Sequence, residues 1–300
     1  MFWKRRKGKT KPSKVKKTPP PKQFITKETT PKWKPTYNPV PQKHLEKKES
    51  EKPESKIDWE RKFLKSFQKL TYSHRAWDVW RDYVVLHACA ISNVFDKGNY
   101  EHREKRYLDI IHRYNKEEQE IFPALAADTL MALNENQEQD FLGKMFMNLG
   151  LSNHSNGQFF TPYHVCELMA EITMDDVVEK IEKEGYISIN DPCCGAGATL
   201  IAGAHAVRKR LEKCEHPLNY KNHILMVGQD VDETVALMCY IQLSLLGLAG
   251  FIKVGNSITN PMSPDDSSEN YWYTPGYFSD VWNTRRIIKN VTKLLEDDDQ

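Results

Sequence analysis

One turn constrains this chain more than any other feature: Asp191-Pro192-Cys193-Cys194-Gly195-Ala196-Gly197, followed by Ala198-Thr199-Leu200. A short apolar run, Tyr186 to Asn190, precedes it and reads as a strand, and a helical pattern from about Thr199 to Leu211 follows. Two further strands, Ile224 to Gln229 and Phe251 to Val254, flank a long apolar helix, Glu233 to Leu246. A helix over Pro162 to Thr173 leads into the series. Strand, helix, strand, helix, strand in that order predicts an α/β fold with a parallel sheet. Glycines in the turn let the backbone approach a ligand closely, and the helix N-terminus offers free N–H groups and positive potential. A dinucleotide-binding turn would carry Gly-x-Gly-x-x-Gly. Here an acid and a proline come first, and a carboxylate at that place suits a cationic or amino-bearing ligand better than a pyrophosphate.

Two more polar residues fall at the ends of the next strands. Asp230 follows the second strand, where an acid can accept both hydroxyls of a ribose. Its distance from the glycine turn is longer than usual, and a polar insertion near Cys214 to Asn222 accounts for that. Asn256 follows the third strand in Gly255-Asn256, where its side-chain carbonyl can accept from an adenine amino group. Singly, each residue reads equally well as a turn or cap residue. Together, at successive strand ends, they line the crevice where open α/β sheets bind ligands.

Charge divides the chain. Net charge is +2, yet residues 1–57 hold 18 Lys and Arg against 5 Glu, leaving 25 basic and 36 acidic residues in the other 243. Nine of the sixteen prolines also fall in that first segment, so it is expected to be a disordered basic arm, a phosphate-attracting element or simply a solubilising tail. Residues 58–150 read as a helical domain. Phe63, Phe67 and Leu70 make one stripe; Ser73 is expected to cap a second helix carrying Trp77, Trp80, Val84 and Val85; Gly150 is expected to end the last helix. Residues 151–300 then form the ligand-binding domain. No run of about 18 apolar residues suggests a membrane span. No signal sequence is evident, and none of the six cysteines forms a Cys-x-x-Cys pair, so no zinc or other metal site is expected and a reducing cytoplasm is.

In combination, these segments resemble a known family. Gly157-Gln158-Phe159-Phe160-Thr161-Pro162, the Asp191 to Gly197 turn, Gly228-Gln229-Asp230, and Gly255-Asn256-Ser257-Ile258 occur in the order found in adenine-N6 DNA methyltransferases. They are most similar to the modification subunits of type I restriction-modification systems, in which an Asp is usual at the position of Asn256. The resemblance covers roughly residues 58–258. It implies a Rossmann-like S-adenosyl-L-methionine-dependent methyltransferase domain behind a helical domain. It also implies that Asp191, Pro192, Cys193, Gly195 and Gly197 hold the methionine portion of the cofactor, that Asp230 holds the ribose and Asn256 the adenine. Phe159, Phe160 and Thr161 would close over the methionine end. The implied substrate is DNA, its target base flipped out of the helix, with a specificity subunit or a second methyltransferase subunit as partner.

The family's catalytic tetrapeptide, Asn or Asp-Pro-Pro-aromatic, does not occur. Asn260-Pro261-Met262-Ser263 lacks the ring and follows Gly255 too closely. Thr274-Pro275-Gly276-Tyr277 has the proline and the ring, at a distance that leaves room for a helix and a strand. It is therefore the expected catalytic remnant: Thr274 and the Pro275 carbonyl as amine acceptors, Tyr277 as a stacking ring. A surface turn is the rival reading. Beyond it lie one more helical stripe (Ile287, Ile288, Val291, Leu294, Leu295) and no run of strands to complete a seven-stranded sheet. The expectation is a cofactor half whose substrate half is reduced, absent or supplied by another chain. The alternatives are an inactive descendant that binds cofactor, DNA or a partner, and a protein- or RNA-directed methyltransferase on the same scaffold.

Overall fold

The apolar stripes of the first segment become helices that bury them. The computed structural model describes residues 57–151, 160–215 and 217–298; the basic arm up to Lys56, and Phe159, lie outside the described residues. Helices α1 (Trp59–Thr71), α2 (Ala76–Phe95), α3 (Tyr100–Ile111), α4 (Lys116–Gln119), α5 (Ile121–Glu135) and α6 (Phe141–Asn148) fill this segment. Asp58 caps α1 by accepting from the Arg61 amide at 3.0 Å. Phe63 meets Trp80, Tyr83 and Phe141 edge-on at centroid distances of 6.1, 5.5 and 5.7 Å. The expected cap of α2 is corrected: Arg75 is its N-cap, because the amides of Ser73 and His74 both turn back to the Leu70 carbonyl and end α1. Gly150 does lie past the end of α6, at φ 66°. No described helix is long and apolar enough to cross a membrane.

The second segment is a mixed α/β unit. Helices α7 (Tyr163–Thr173) and α8 (Val177–Glu184) lead to strand β1 (Ile187–Asp191); α9 (Ala198–Leu211), β2 (Ile224–Asp230), α10 (Glu233–Leu245) and β3 (Gly250–Val254) follow. A short strand β4 (Tyr271–Tyr273) and helix α11 (Asp280–Asp298) come last. The sheet order is β1-β2-β3-β4. The first three strands are parallel, with Asp191 opposite Gly228 and Asp230 opposite Val254, so the ligand turn and the second acid sit at one end of the sheet. Helix α10 is buried on nearly all sides, since it packs on β2 and β3 and also on α2. The main core therefore runs from Phe63 to Trp272 through both segments, with a smaller cluster between α7 and α9.

Strand β4 breaks the parallel order. It runs antiparallel to β3, with Lys253 opposite Tyr271 and Phe251 opposite Tyr273. A parallel return needs a crossover, usually a helix, and the residues between β3 and β4 form no α-helix. Instead they are pinned to the sheet. The buried Lys253 Nζ donates to Asp266 (2.6 Å), the Pro261 carbonyl (2.9 Å) and Asn260 Oδ1 (3.1 Å), and Gln229 Nε2 donates to the Asn260 carbonyl at 2.8 Å. The sheet faces also differ. Ile224, Met226 and Ile252 are fully buried under α9 and α10, whereas Leu225, Val227 and Phe251 on the other face are only half-buried.

Candidate cofactor site

A cavity of about 570 Å³ opens where β1 and β2 end and α9 and α10 begin. Local chemistry builds it. Asp191 ends β1 and folds its carboxylate over the turn: Oδ1 accepts from the Cys193 amide at 3.0 Å and Oδ2 from the Thr199 hydroxyl at the start of α9. Asp230 ends β2 and reaches back to the same turn, accepting from the Gly195 amide (2.9 Å) and the Asp232 amide (3.0 Å). Each carboxylate oxygen keeps a second lone pair for a ligand. Burial pushes the Asp230 carboxyl above its usual range. Gly197 sits at φ 100°, and a Cβ there would lie 2.9 Å from Cys239 Sγ, so the turn accepts only glycine at that place.

Of the residues singled out from the sequence, Phe160, Thr161, Asp191, Cys193, Gly195 and Asp230 line this cavity. Pro192 and Gly197 belong to the same turn and shape it without lining the cavity. Asn256 does not join them. It is exposed, and its Oδ1 accepts from the amides of Ile258 (2.9 Å) and Thr259 (3.1 Å), the short-range turn that Asn side chains make readily. The sequence reading missed Asp140, Cys166, Thr199, Val231, Asp232 and Val235 on the wall. Asp232 was legible as the cap of α10, whose Thr234 amide it holds at 2.8 Å. Asp140 lies some fifty residues before the turn, and only the fold brings it there. Among the described residues the wall thus carries four carboxylates, Asp140, Asp191, Asp230 and Asp232, and no Lys, Arg or His.

A family described as N-6 DNA methylase matches residues 138–296. The chain belongs to that family. No curated protein matches the chain. The matched stretch begins just before Asp140 and takes in the whole cavity and all four strands. Helices α1 to α5 precede it, so the N-6 DNA methylase unit draws α6 from the helical segment into its own body.

In this member of the family the expected catalytic remnant lies away from the cavity. Because β4 runs antiparallel, it delivers Thr274 to the start of β3 rather than to its opposite end. Thr274 is fully buried; its hydroxyl donates to the Leu248 carbonyl at 2.7 Å and accepts from the Gly250 amide at 2.9 Å. Pro275 begins a 3-10 turn and borders an apolar groove with Phe95 and Leu245. Tyr277 lies tilted against Tyr273 at a centroid distance of 4.9 Å, with the Arg286 guanidinium 3.9 Å over its ring. Thr274, Pro275 and Tyr277 are therefore corrected from catalytic to packing residues. Asn260 is no substitute, since its side-chain oxygen is held by Lys253.

Proposed function

We propose that this chain binds S-adenosyl-L-methionine in the cavity at the ends of β1 and β2 and serves methylation of adenine N6 in DNA. The observation that carries the reading is the charge of the wall, four carboxylates with no basic group among the described residues, in a member of the N-6 DNA methylase family. A pyrophosphate would meet only like charge there, whereas a ligand bearing a sulfonium and an ammonium meets opposite charge. The volume falls within the roughly 300–1,000 Å³ of small-molecule sites. The cofactor, when bound, supplies an activated methyl group. Asp191 and the turn amides would hold its methionine portion, Asp230 its ribose hydroxyls, and Phe160 with Thr161 would close the methionine end. With Asn256 turned away, Val231 and Val235 offer the apolar wall for an adenine ring.

Adenine N6 lies inside the duplex stack, so the target nucleotide must be flipped out, and acceptor groups must receive its amine. The burial of Thr274 favours a second reading, in which this chain is the cofactor-binding partner and a second methyltransferase or specificity subunit brings those acceptors. The Lys-rich arm would add affinity for DNA phosphates. Calorimetric titration with S-adenosylmethionine, followed by transfer of labelled methyl to mixed-sequence DNA by the chain alone, tests both. Absence of binding at millimolar cofactor sinks the proposal. Binding with transfer supports the enzyme, and binding without transfer supports the partner-dependent reading.

A further inference from the structure

We propose that Asp140, brought in from the helical segment, is the counter-ion for the ligand's positive charge at the methionine end of this cavity. The inference rests on the cofactor reading above and assigns a specificity-determining residue to the same site. Asp140 lines the cavity and is only 9% exposed. Its Oδ1 takes both of its hydrogen bonds, from the Gly143 amide at 2.8 Å and from Gln242 Nε2 at 2.7 Å. Both donors are neutral. Among the described residues Oδ2 takes none, and no Lys, Arg or His pairs with it. A buried carboxylate without a partner cation is costly, and two neutral hydrogen bonds offset only part of the cost. Burial accordingly pushes the Asp140 carboxyl above its usual range, with Gln242 and Gly143 working against the rise. A cation delivered by the ligand completes the balance.

The surroundings specify which end of the ligand. Asp140 and Asp191 both act on the Cys166 thiol of α7, which burial first and then these two negative charges push up to about 11. Asp140, Cys166 and Asp191 line the same cavity as the Phe160-Thr161 segment. Gln242 ties Asp140 to the ligand turn: Nε2 also donates to the Ala196 carbonyl at 2.8 Å, while Oε1 accepts from the Leu142 amide at 3.1 Å. Asp191, by contrast, is already bonded through both oxygens, as is Asp230.

The test is Asp140→Asn in the full chain. Asn keeps the helix cap and the acceptor for Gln242 while removing the charge. Calorimetric titration would use S-adenosylmethionine, S-adenosylhomocysteine, which keeps the ammonium but not the sulfonium, and 5′-methylthioadenosine, which carries neither charge. The expected result is a loss of about tenfold or more for S-adenosylmethionine, with 5′-methylthioadenosine changed by less than about twofold. A matching loss for S-adenosylhomocysteine assigns the contact to the ammonium; its absence assigns it to the sulfonium. Equal losses for all three ligands, or no loss at all, would overturn the inference while leaving the cofactor reading intact. If the parent chain binds none of the three, both fall together. Asp140→Ser, an equally good cap, repeats the test should the asparagine variant fail to fold.

Discussion

The cavity-facing ends of β1 and β2 and the opposite end of β3 are both crowded with polar and aromatic side chains, yet they use them differently. At the first place four carboxylates surround an open volume, and Asp140 keeps an oxygen with no hydrogen bond among the described residues. At the second place Thr274 has its hydroxyl fully used, and Tyr273, Tyr277 and Phe278 pack on one another. Composition does not separate a site from a packed corner. Unspent hydrogen-bonding capacity and uncompensated charge do, because a protein retains them at a cost that a ligand removes.

The sharpest way to break that contrast is to remove the Thr274 hydroxyl. Thr274→Val keeps the shape and leaves a buried amide and a buried carbonyl short of a partner. The expected cost is about 3 kcal/mol, a melting point lower by roughly 6–12 °C, with the affinity for S-adenosylmethionine unchanged. Asp191→Ala is expected to do the reverse. Affinity falls by about 10- to 100-fold while the melting point moves little, because the Asp191 carboxylate bonds only within its own turn and to Thr199. Calorimetry and thermal melts on the two variants, side by side, read both quantities. If Thr274→Val weakened cofactor binding as much as Asp191→Ala, the two ends of the sheet would not be separate in function.

Tyr277→Ala sharpens the contrast at lower amplitude. Its ring contacts with Tyr273 and Arg286 are worth about 1–2 kcal/mol together, so a modest drop in thermal stability is expected. Cofactor affinity and any methyl transfer should hold. A variant with unchanged stability but lost transfer would restore Tyr277 to catalysis and overturn its assignment as a packing residue.

Much of this fold was legible because its parallel strands are short apolar runs with clear borders and its crossover helices are strongly patterned. The three strands were placed to within about a residue at each end, and the Asp191 turn marked the cavity. The direction of β4 was not legible from its three residues. The signal lay in the connection: Pro261, Pro264 and the Asp265-Asp266-Ser267-Ser268 run carry no helical stripe, so nothing could bring the chain back across the sheet in parallel. Asn256 was readable as a ligand group or as a turn residue, and its own hydrogen bonds decide for the turn. Asp140 caps α6 by accepting from the Gly143 amide, a role that says nothing of a ligand. That the same carboxylate reaches the cavity depends on α6 packing beside α10, a contact between residues about a hundred positions apart.

The smallest expected effect is a pH dependence, and its sign follows from the burial of two carboxyls. Asp140 and Asp230 both sit above their ordinary 3.8, each chiefly because burial disfavours the charged form. A carboxyl raised in the folded state supports folding while protonated, and that support is lost as pH rises through the folded value. Binding of a cationic ligand runs the other way, since it favours the ionised form. Between the ordinary value and the raised ones, the free protein holds protons that the ligand must expel. Affinity for S-adenosylmethionine should therefore climb with pH across that window and level off above it. Titrations in two buffers of different ionisation enthalpy should report a fraction of a proton released per ligand inside the window and none well above it. Asp140→Asn should remove part of that release, and 5′-methylthioadenosine should cause little. Proton uptake on binding, or an affinity flat across the window, would mean that these carboxylates serve only the packing of the turn, which is the role already found at the far end of β3.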